Sequence, residues 1–313
     1  MPLNGIHHIS AITGDARRNL DFYTRVLGLR LVAKTVNQDD PGVYHLFYGS
    51  EHARPGADLT FFEYPRAIPG RPGAGMVHRI VSRVGGPEAL GFWADRLGRE
   101  GVPCEQTPEG SLRFADPEGL DHELVVRDVP DEPLVAEHPE IAPGVALQGF
   151  EGGRAYSHAP GRSAELREQL MEAGARPDGS WELRGETRGG WIAFDPAPAE
   201  RGRQSAGVVH HIAWGTTDAE LPGWIERVAQ AGVPSSGFVD RHFFHSLYFR
   251  EPGGVLYELA TEEPGFADEI PVEELGRELI LPPFLEGDRE RITAGLTPLP
   301  DPRADWPARG VAS

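Results

Sequence analysis

Three places in this chain carry residues whose types and spacing suit a metal ion. Two are doubled histidines, His7-His8 within Gly-Ile-His-His-Ile and His210-His211 within Val-Val-His-His-Ile. The third is Glu258, set among Val255, Leu256, Tyr257 and Leu259 on what reads as a strand buried on both faces. A carboxylate in such a strand is costly unless it is paired or bound to a cation. Adjacent side chains of a regular strand point to opposite faces, so one histidine of each pair is expected to face a given cavity. Two imidazoles and one carboxylate form a facial set that suits Fe(II) first and Mn(II) second, with positions left open for exogenous ligands. One negative charge against a divalent ion leaves the site net positive and ready for a monoanionic ligand. The bland alternative is three unrelated core residues with backbone partners. It is weakened because two of the three open matching strands.

Other residues compete for roles near such a site. Tyr248 and His245 are candidate proton donors, since a phenol or an imidazole poised near neutral pH suits acid–base work. Strand parity sets His245 on the opposite face from Tyr248, whereas His242 shares Tyr248's parity. Tyr248 reads equally well as a core aromatic with a bonded hydroxyl. His45, in Val-Tyr-His-Leu-Phe, reads as a satisfied strand residue rather than a ligand. Glu63, in PGADLTFFEYP, takes roughly the place in the first unit that Glu258 takes in the last. If it joined the metal, the shell would close to two histidines and two glutamates. Phe62 is expected to face inward and Glu63 outward.

The elements that must position these residues repeat along the chain. Each unit opens with an apolar strand, passes through an amphipathic helix that ends at glycine, and continues with further strands. In the first, Gly5 to Ile12 is the strand, Asp15 is the N-cap, and Leu20, Tyr23, Val26 and Leu27 form the apolar face that stops at Gly28. The second has Val77 to Val84, then Leu90, Trp93 and Leu97 before Gly101. The third has a weaker strand near Val145 to Tyr156, then Leu166 and Leu170 before Gly174. The fourth has Val208 to Trp214, then Leu221, Ile225 and Val228 before Gly232. Units two and four share a hairpin, Asp116-Pro117-Glu118-Gly119 and Glu251-Pro252-Gly253-Gly254, followed by Glu123-Leu124 and Glu258-Leu259. The doubled histidine is confined to units one and four. Unit two has His78-Arg79 and unit three Glu151-Gly152, so neither is expected to supply a ligand. The pattern is α+β, with pairs of units joining curved sheets around a cavity. A Pro-rich acidic stretch at 130–144 reads as a linker, and the tail beyond 263 as one helical stretch, Val272 to Leu279, that wraps the second domain.

Composition narrows the function classes. A formal charge of −18 over 313 residues argues against nucleic acid or an anionic membrane as partner. No apolar run is long enough for a membrane span and no signal-like leader opens the chain. The single cysteine, Cys104, fits a reducing cytoplasm and reads as a half-buried strand residue.

Longer stretches carry a family resemblance. GIHHISAITGDARRNLDFYTRVLGLRLVAKTVNQDDPGVYHLFYG and PGADLTFFEYP resemble the first half of ring-cleaving dioxygenases of the glyoxalase (vicinal-oxygen-chelate) superfamily that act on hydroquinones. VVHHIAW, VDRHFFHSLYFREPGGVLYELATEEPGF and LGRELILPPFLEGDRERI resemble the second half and tail. The resemblance spans nearly the whole chain. It implies four βαβββ modules in two glyoxalase-like domains, 5–129 and 145–263, with curved mixed sheets around a metal cup and a tail over 264–313. It implies that His8, His211 and Glu258 bind iron, with His7, Ser10 and Tyr248 behind or beside them. Relatives carry varied residues, Arg among them, where this chain has His242 and His245. The implied reaction is oxidative cleavage of an aromatic diol, hydroquinone- or catechol-like, with O2. The implied partners are small molecules, and exposed edge strands leave room for a homo-oligomer. Two rivals stand beside it: a glyoxalase-type isomerase using Glu63 as fourth ligand, and a non-catalytic protein that sequesters a small molecule in the cup.

Overall fold

Among the described residues, sixteen strands and few helices result where short apolar stretches alternate with Gly- and Pro-rich turns. The structure, a computed structural model, describes residues 2–306. The chain runs β1 (Ile6–Thr13), α1 (Ala16–Asp21), β2 (Arg30–Asn37), β3 (Asp40–Gly49) and β4 (Asp58–Glu63), then β5 (Met76–Val84), α2 (Pro87–Arg99), β6 (Cys104–Gln106), β7 (Leu112–Ala115) and β8 (Asp121–Val126). Next come β9 (Leu147–Ser157), β10 (Gly174–Ala175), β11 (Trp181–Arg184) and β12 (Gly189–Pro196). The last run is β13 (Val208–Thr216), α3 (Leu221–Gln230), β14 (Ser235–Asp240), β15 (Phe244–Arg250) and β16 (Leu256–Pro264). This is the mixed α+β architecture expected from the sequence. Among the described residues no helix is long and apolar enough to cross a membrane.

The strands form two eight-stranded sheets. One has the order β14-β15-β16-β13-β1-β4-β3-β2, the other β10-β11-β12-β9-β5-β8-β7-β6. Each sheet therefore takes four strands from residues 5–129 and four from 145–263, joined in the middle by an antiparallel pair, β1–β13 in one and β5–β9 in the other. The 130–144 stretch is packed rather than free. Asp131 is buried against Arg83 and Arg184 at 3.2 and 2.6 Å, and Leu134 and Ile141 join the core.

The helices pack as the apolar spacing directs, with local differences. Asp15 caps α1 by accepting from the Arg18 N–H, and a π-helical turn, Phe22–Val26, continues it to Gly28. Trp93 and Leu97 of α2 and Leu221, Trp224 and Val228 of α3 are fully buried, while Leu90 and Ile225 sit only at the margin of the core. Gly28, Gly101 and Gly232 take the left-handed conformation at φ near 70°. In the third run there is no such helix. A 3-10 turn and a π turn replace it, Glu172 takes the left-handed position at φ 58, and Gly174 begins β10 instead.

Two further expectations are corrected. Cys104 lies on a strand, but β6 is the edge of its sheet and leaves the thiol exposed. Only Val272–Glu274 of the anticipated Val272–Leu279 helix forms, as a 3-10 turn, and the tail starts against the second half, where Phe266 meets Phe243 and Glu269 meets His242, before it runs along the first run of strands. The reason is the open edge of β2, whose unpaired backbone needs a cover. Leu279 bridges to Lys34, Ile280 N–H donates to the Lys34 carbonyl at 2.9 Å, and Arg303 pairs with Glu51 at 2.9 Å.

Helix α1 and its π turn seat Tyr23 on the second sheet, where its hydroxyl lies 3.0 Å from Asp116 and 3.1 Å from His122. Burial pushes the His122 imidazole down from 6.5 to about 3. Neutral His122 thus contributes stability above pH 6.5 that is lost as pH falls toward 3, because the unfolded chain takes up the proton first. We expect the melting temperature to fall as pH is lowered from 7 to 5, with a shallower slope in His122→Gln. An unchanged slope in that variant would contradict this reading.

Candidate metal centre

The site forms where β1 and β13 cross, and irregularity in that pairing makes it. Pairing steps from Ile6↔Trp214 to His8↔Ala213, and from Ser10↔His211 to Ala11↔Val209. His7 and His210 are therefore the extra residues of two bulges. A bulge re-aims its side chain and breaks strict alternation. The expectation that only one histidine of each pair faces the cavity is accordingly corrected for the second pair, since His210 and His211 both line it. The first histidine of each pair lies against the second: His7 Nδ1 is 2.9 Å from His8 Nδ1, and His210 Nδ1 is 2.7 Å from His211 Nδ1.

These contacts fix the tautomers. His7 Nε2 lies 3.1 Å from the Thr261 carbonyl, which only accepts, so Nε2 carries the proton. Burial, then the neighbouring His8, pushes His7 down to about 3, so it is neutral and its Nδ1 accepts from His8. The proton on His8 is then at Nδ1, which leaves a lone pair on Nε2. That atom faces Glu258 Oε2 at 3.0 Å and His211 Nε2 at 3.2 Å, and His211 Nε2 is 2.8 Å from the same Oε2.

Glu258 itself is fully buried. Ser246 Oγ donates to its Oε1 at 2.6 Å, but no hydrogen bond reaches Oε2. Burial works to raise this carboxyl. The imidazoles of His8 and His211 against it outweigh burial and hold the group well below the usual carboxylate range. Three lone-pair atoms within 4.8 Å of one another, one an orphaned carboxylate oxygen, are arranged for a cation. The donor set fits a divalent metal.

A cavity of about 560 Å³ opens above these atoms. Its apolar wall includes Phe47, Phe62, Phe243 and Phe244, with Phe244 5.4 Å from the His8 ring. Tyr248 lines the cavity and Arg241 reaches it from the β14–β15 turn. Arg241 Nε lies 3.3 Å from the Tyr248 hydroxyl and the guanidinium 5.3 Å from the ring centre, while Asp39 holds the far end at 3.0 Å. Burial, then the Glu258 charge, raises the Tyr248 phenol, so it keeps its proton. The sequence marks His210 only as the neighbour of His211 and gives no sign of Arg241. The doubled-histidine pattern pointed at His210, but a turn residue such as Arg241 carries no periodic signal.

Other candidates lie elsewhere. His245 faces away, 2.7 Å from Asp218. His242 does not share Tyr248's face, because it precedes β15 in a turn at φ 69 and pairs with Glu269 at 3.1 Å. Neither lines the cavity. Ser10 is buried beneath it, its hydroxyl 2.7 Å from that of Thr60. Phe62 faces in and Glu63 faces out. Glu63 accepts the Ala16 N–H at 3.0 Å at the start of α1 and pairs with Thr297 at 3.2 Å. The register also corrects its supposed equivalence to Glu258. Glu258 pairs with Ala213, two residues past His211, and the residue paired two past His8 is Thr60.

The second sheet repeats this geometry without ligands. Arg79 stands where His211 does, and the pairing places Gly152 at the position of His8. A Cβ on Gly152 would meet the Trp191 ring at 2.3 Å, so that ring fills the space. Glu123 takes the place of Glu258 and accepts from Ser111 at 2.6 Å, as Glu258 does from Ser246. The guanidinium of Arg79, 3.4 Å from Glu123, supplies the positive charge.

Residues 5–124 match the model of the Glyoxalase/Bleomycin resistance protein/Dioxygenase superfamily. MhqA of Bacillus subtilis (strain 168), provisionally named a ring-cleaving dioxygenase, is 39% identical over 96% of this chain and 100% of its own length. This chain belongs to that superfamily. The chlorohydroquinone/hydroquinone 1,2-dioxygenase of Sphingobium indicum is 30% identical over 93% of this chain and 95% of its own. The crystal structure of a provisionally assigned dioxygenase from B. subtilis superposes with a TM-score of 0.89 at 38% identity, covering 96% of this chain and 98% of that one.

The geometry separates the two carboxylates by experiment. Glu258→Gln should weaken divalent-metal binding by more than the roughly 10–100-fold that losing a residue behind a ligand costs. Glu63→Gln should leave it nearly unchanged. Metal content after dialysis against graded chelator measures both, and equal losses would place Glu63 on the metal.

Proposed function

We propose that this chain is a ring-cleaving dioxygenase that takes a hydroquinone- or catechol-like diol and O2, with iron(II) held by His8, His211 and Glu258. The observation that carries the reading is the three-donor centre with Glu63 on the far face. Among the described residues no fourth side chain reaches this point, so a bound ion would keep positions for exogenous ligands. The names of the full-length relatives support the choice of reaction. The isomerase reading loses its fourth ligand. Iron bound here would supply the redox chemistry that couples an electron-rich ring to O2. A cytoplasmic setting, in keeping with the single Cys104, goes with the proposal.

The roles of the chain's own groups follow from their protons. With His211 Nε2 free for the metal, its Nδ1–H donates to neutral His210, which burial pushes down to about 3. His210 then presents an Nε2–H to the cavity. Tyr248 presents a retained O–H, steadied by Arg241. These two donors can hold substrate oxygens beside the centre, and Tyr248 can return a proton as the ring opens. The phenyl wall excludes water and receives the ring's faces.

After anaerobic iron(II) loading, the chain should consume O2 with substituted hydroquinones. Tyr248→Phe should lower kcat by about 100-fold with iron content intact, and His242→Ala and His245→Ala should stay within about twofold of the parent. An oxygen-electrode assay beside metal analysis reads all of these. No oxygen uptake with any diol by iron-replete protein would overturn the proposal.

A further inference from the structure

The cavity is much longer than the ring it is proposed to hold. β1 pairs with β4 without interruption from His8↔Asp58 to Thr13↔Glu63, so its rise is regular there. His8, Ser10 and Ile12 share one face. Four residues of strand set Ile12 about 13 Å beyond the proposed ligand His8. Both residues border the same cavity of about 560 Å³. A benzenediol spans less than half that length between its oxygens. Pockets of roughly 300–1,000 Å³ take drug-sized ligands, and a bare diol leaves much of this one unfilled.

The unfilled part lies on one side. Toward the start of β1 the buried rings of Phe47, Phe243 and Phe244 shut the cavity. Toward the end of β1 it opens to solvent beside Tyr64, which is 39% exposed, and Gln204. A ring on the metal therefore has free length only in this outer half. Ile12 forms its floor, paired with Phe62 on one side and Val208 on the other. Phe62, Leu256 and Ala67 supply apolar walls.

The polar groups at the rim are committed to the chain. Ser205 Oγ donates to the Ile68 carbonyl at 2.6 Å, Gln204 Nε2 to the Val209 carbonyl at 2.8 Å, and Gln38 Nε2 to the Arg241 carbonyl at 2.8 Å. Among the described residues that line the cavity Arg241 is the one permanent cation, and it is held by Asp39 and Tyr248. An anionic substituent would find no free cation here and would meet the carboxylate of Asp39. A hydrocarbon would lose water against aliphatic and phenyl walls.

We propose that the outer half is a subsite for an extended, uncharged hydrocarbon substituent about four to six carbons long, and that diols carrying one are preferred to bare diols. The inference rests on the dioxygenase reading for the diol and on the cavity's own length for the substituent. No bond is made or broken in this half, so Ile12 and Ala67 are specificity residues.

The test is anaerobic calorimetric titration of iron(II)-loaded protein with hydroquinone and its methyl, propyl, pentyl and octyl derivatives, beside iron analysis. Each added carbon should tighten binding by roughly two- to fourfold up to about pentyl, with little further gain at octyl. Ala67→Trp fills the outer half from the rim, and Ile12→Thr sets a hydroxyl in its floor. Each should weaken the pentyl derivative by about tenfold or more and change hydroquinone less than about twofold, with iron unchanged. Phe284→Ser removes an exposed ring that does not line the cavity and should leave the whole series as in the parent. A flat series in the parent, a gain that survives in both cavity variants, or an equal loss in Phe284→Ser would overturn the proposal. Oxygen uptake, measured separately, distinguishes the two ideas. Uptake with hydroquinone and no gain along the series removes the subsite and keeps the dioxygenase. A gain along the series with no uptake from any diol removes the dioxygenase and keeps the subsite.

Discussion

Electron pairs that face one another with no hydrogen between them repel, and a cation placed among them turns that repulsion into binding. His8 Nε2, His211 Nε2 and Glu258 Oε2 are such a set. Much of the surrounding structure follows from holding it. His7 and His210 sit in bulges, and the extra residue places a second imidazole against Nδ1 of His8 and of His211. Ser246 is buried because the other oxygen of Glu258 needs a donor. The set also draws on both ends of the chain, so the β1–β13 pairing is at once the seam of the sheet and the floor of the site.

The second sheet shows how the same scaffold settles when no ion is intended. The bulges persist at His78 and Glu151, and the serine–glutamate bond persists at Ser111 and Glu123. The positions of the two imidazoles have changed to a permanent cation, Arg79, and to Gly152 under Trp191. A guanidinium keeps its charge at any physiological pH, so Glu123 stays compensated without a ligand that could dissociate. One unit type thus gives one open, metal-ready face and one closed face, and the asymmetry lies in a handful of side chains.

Much of this was legible in the sequence. The doubled histidines were conspicuous because they open matching strands, and Glu258 because apolar residues flank it on both sides. Arg79 and Gly152 could be set against His211 and His8 by unit alignment alone. The inward Phe62 and outward Glu63 followed from alternation. What escaped depends on departures from regularity. Bulges at His7 and His210 break the alternation that a sequence reader must assume. The pairing of β4 with β1 decides that Thr60, not Glu63, answers to Glu258. Arg241 and His242 sit in a turn, where a left-handed residue reverses the direction that parity would assign. The tail's course was set by the exposed edge of β2, a property of the assembled sheet rather than of the tail.

In the proposed centre one divalent ion sits among His8, His211 and Glu258, and none on the other face. Anomalous diffraction at the iron edge, from crystals grown anaerobically with iron(II), tests it most directly. A single peak per chain bonded to two imidazoles and one carboxylate is expected, with none between Arg79 and Glu123. A peak that includes Glu63, a second peak on the other sheet, or none in iron-replete crystals would contradict it.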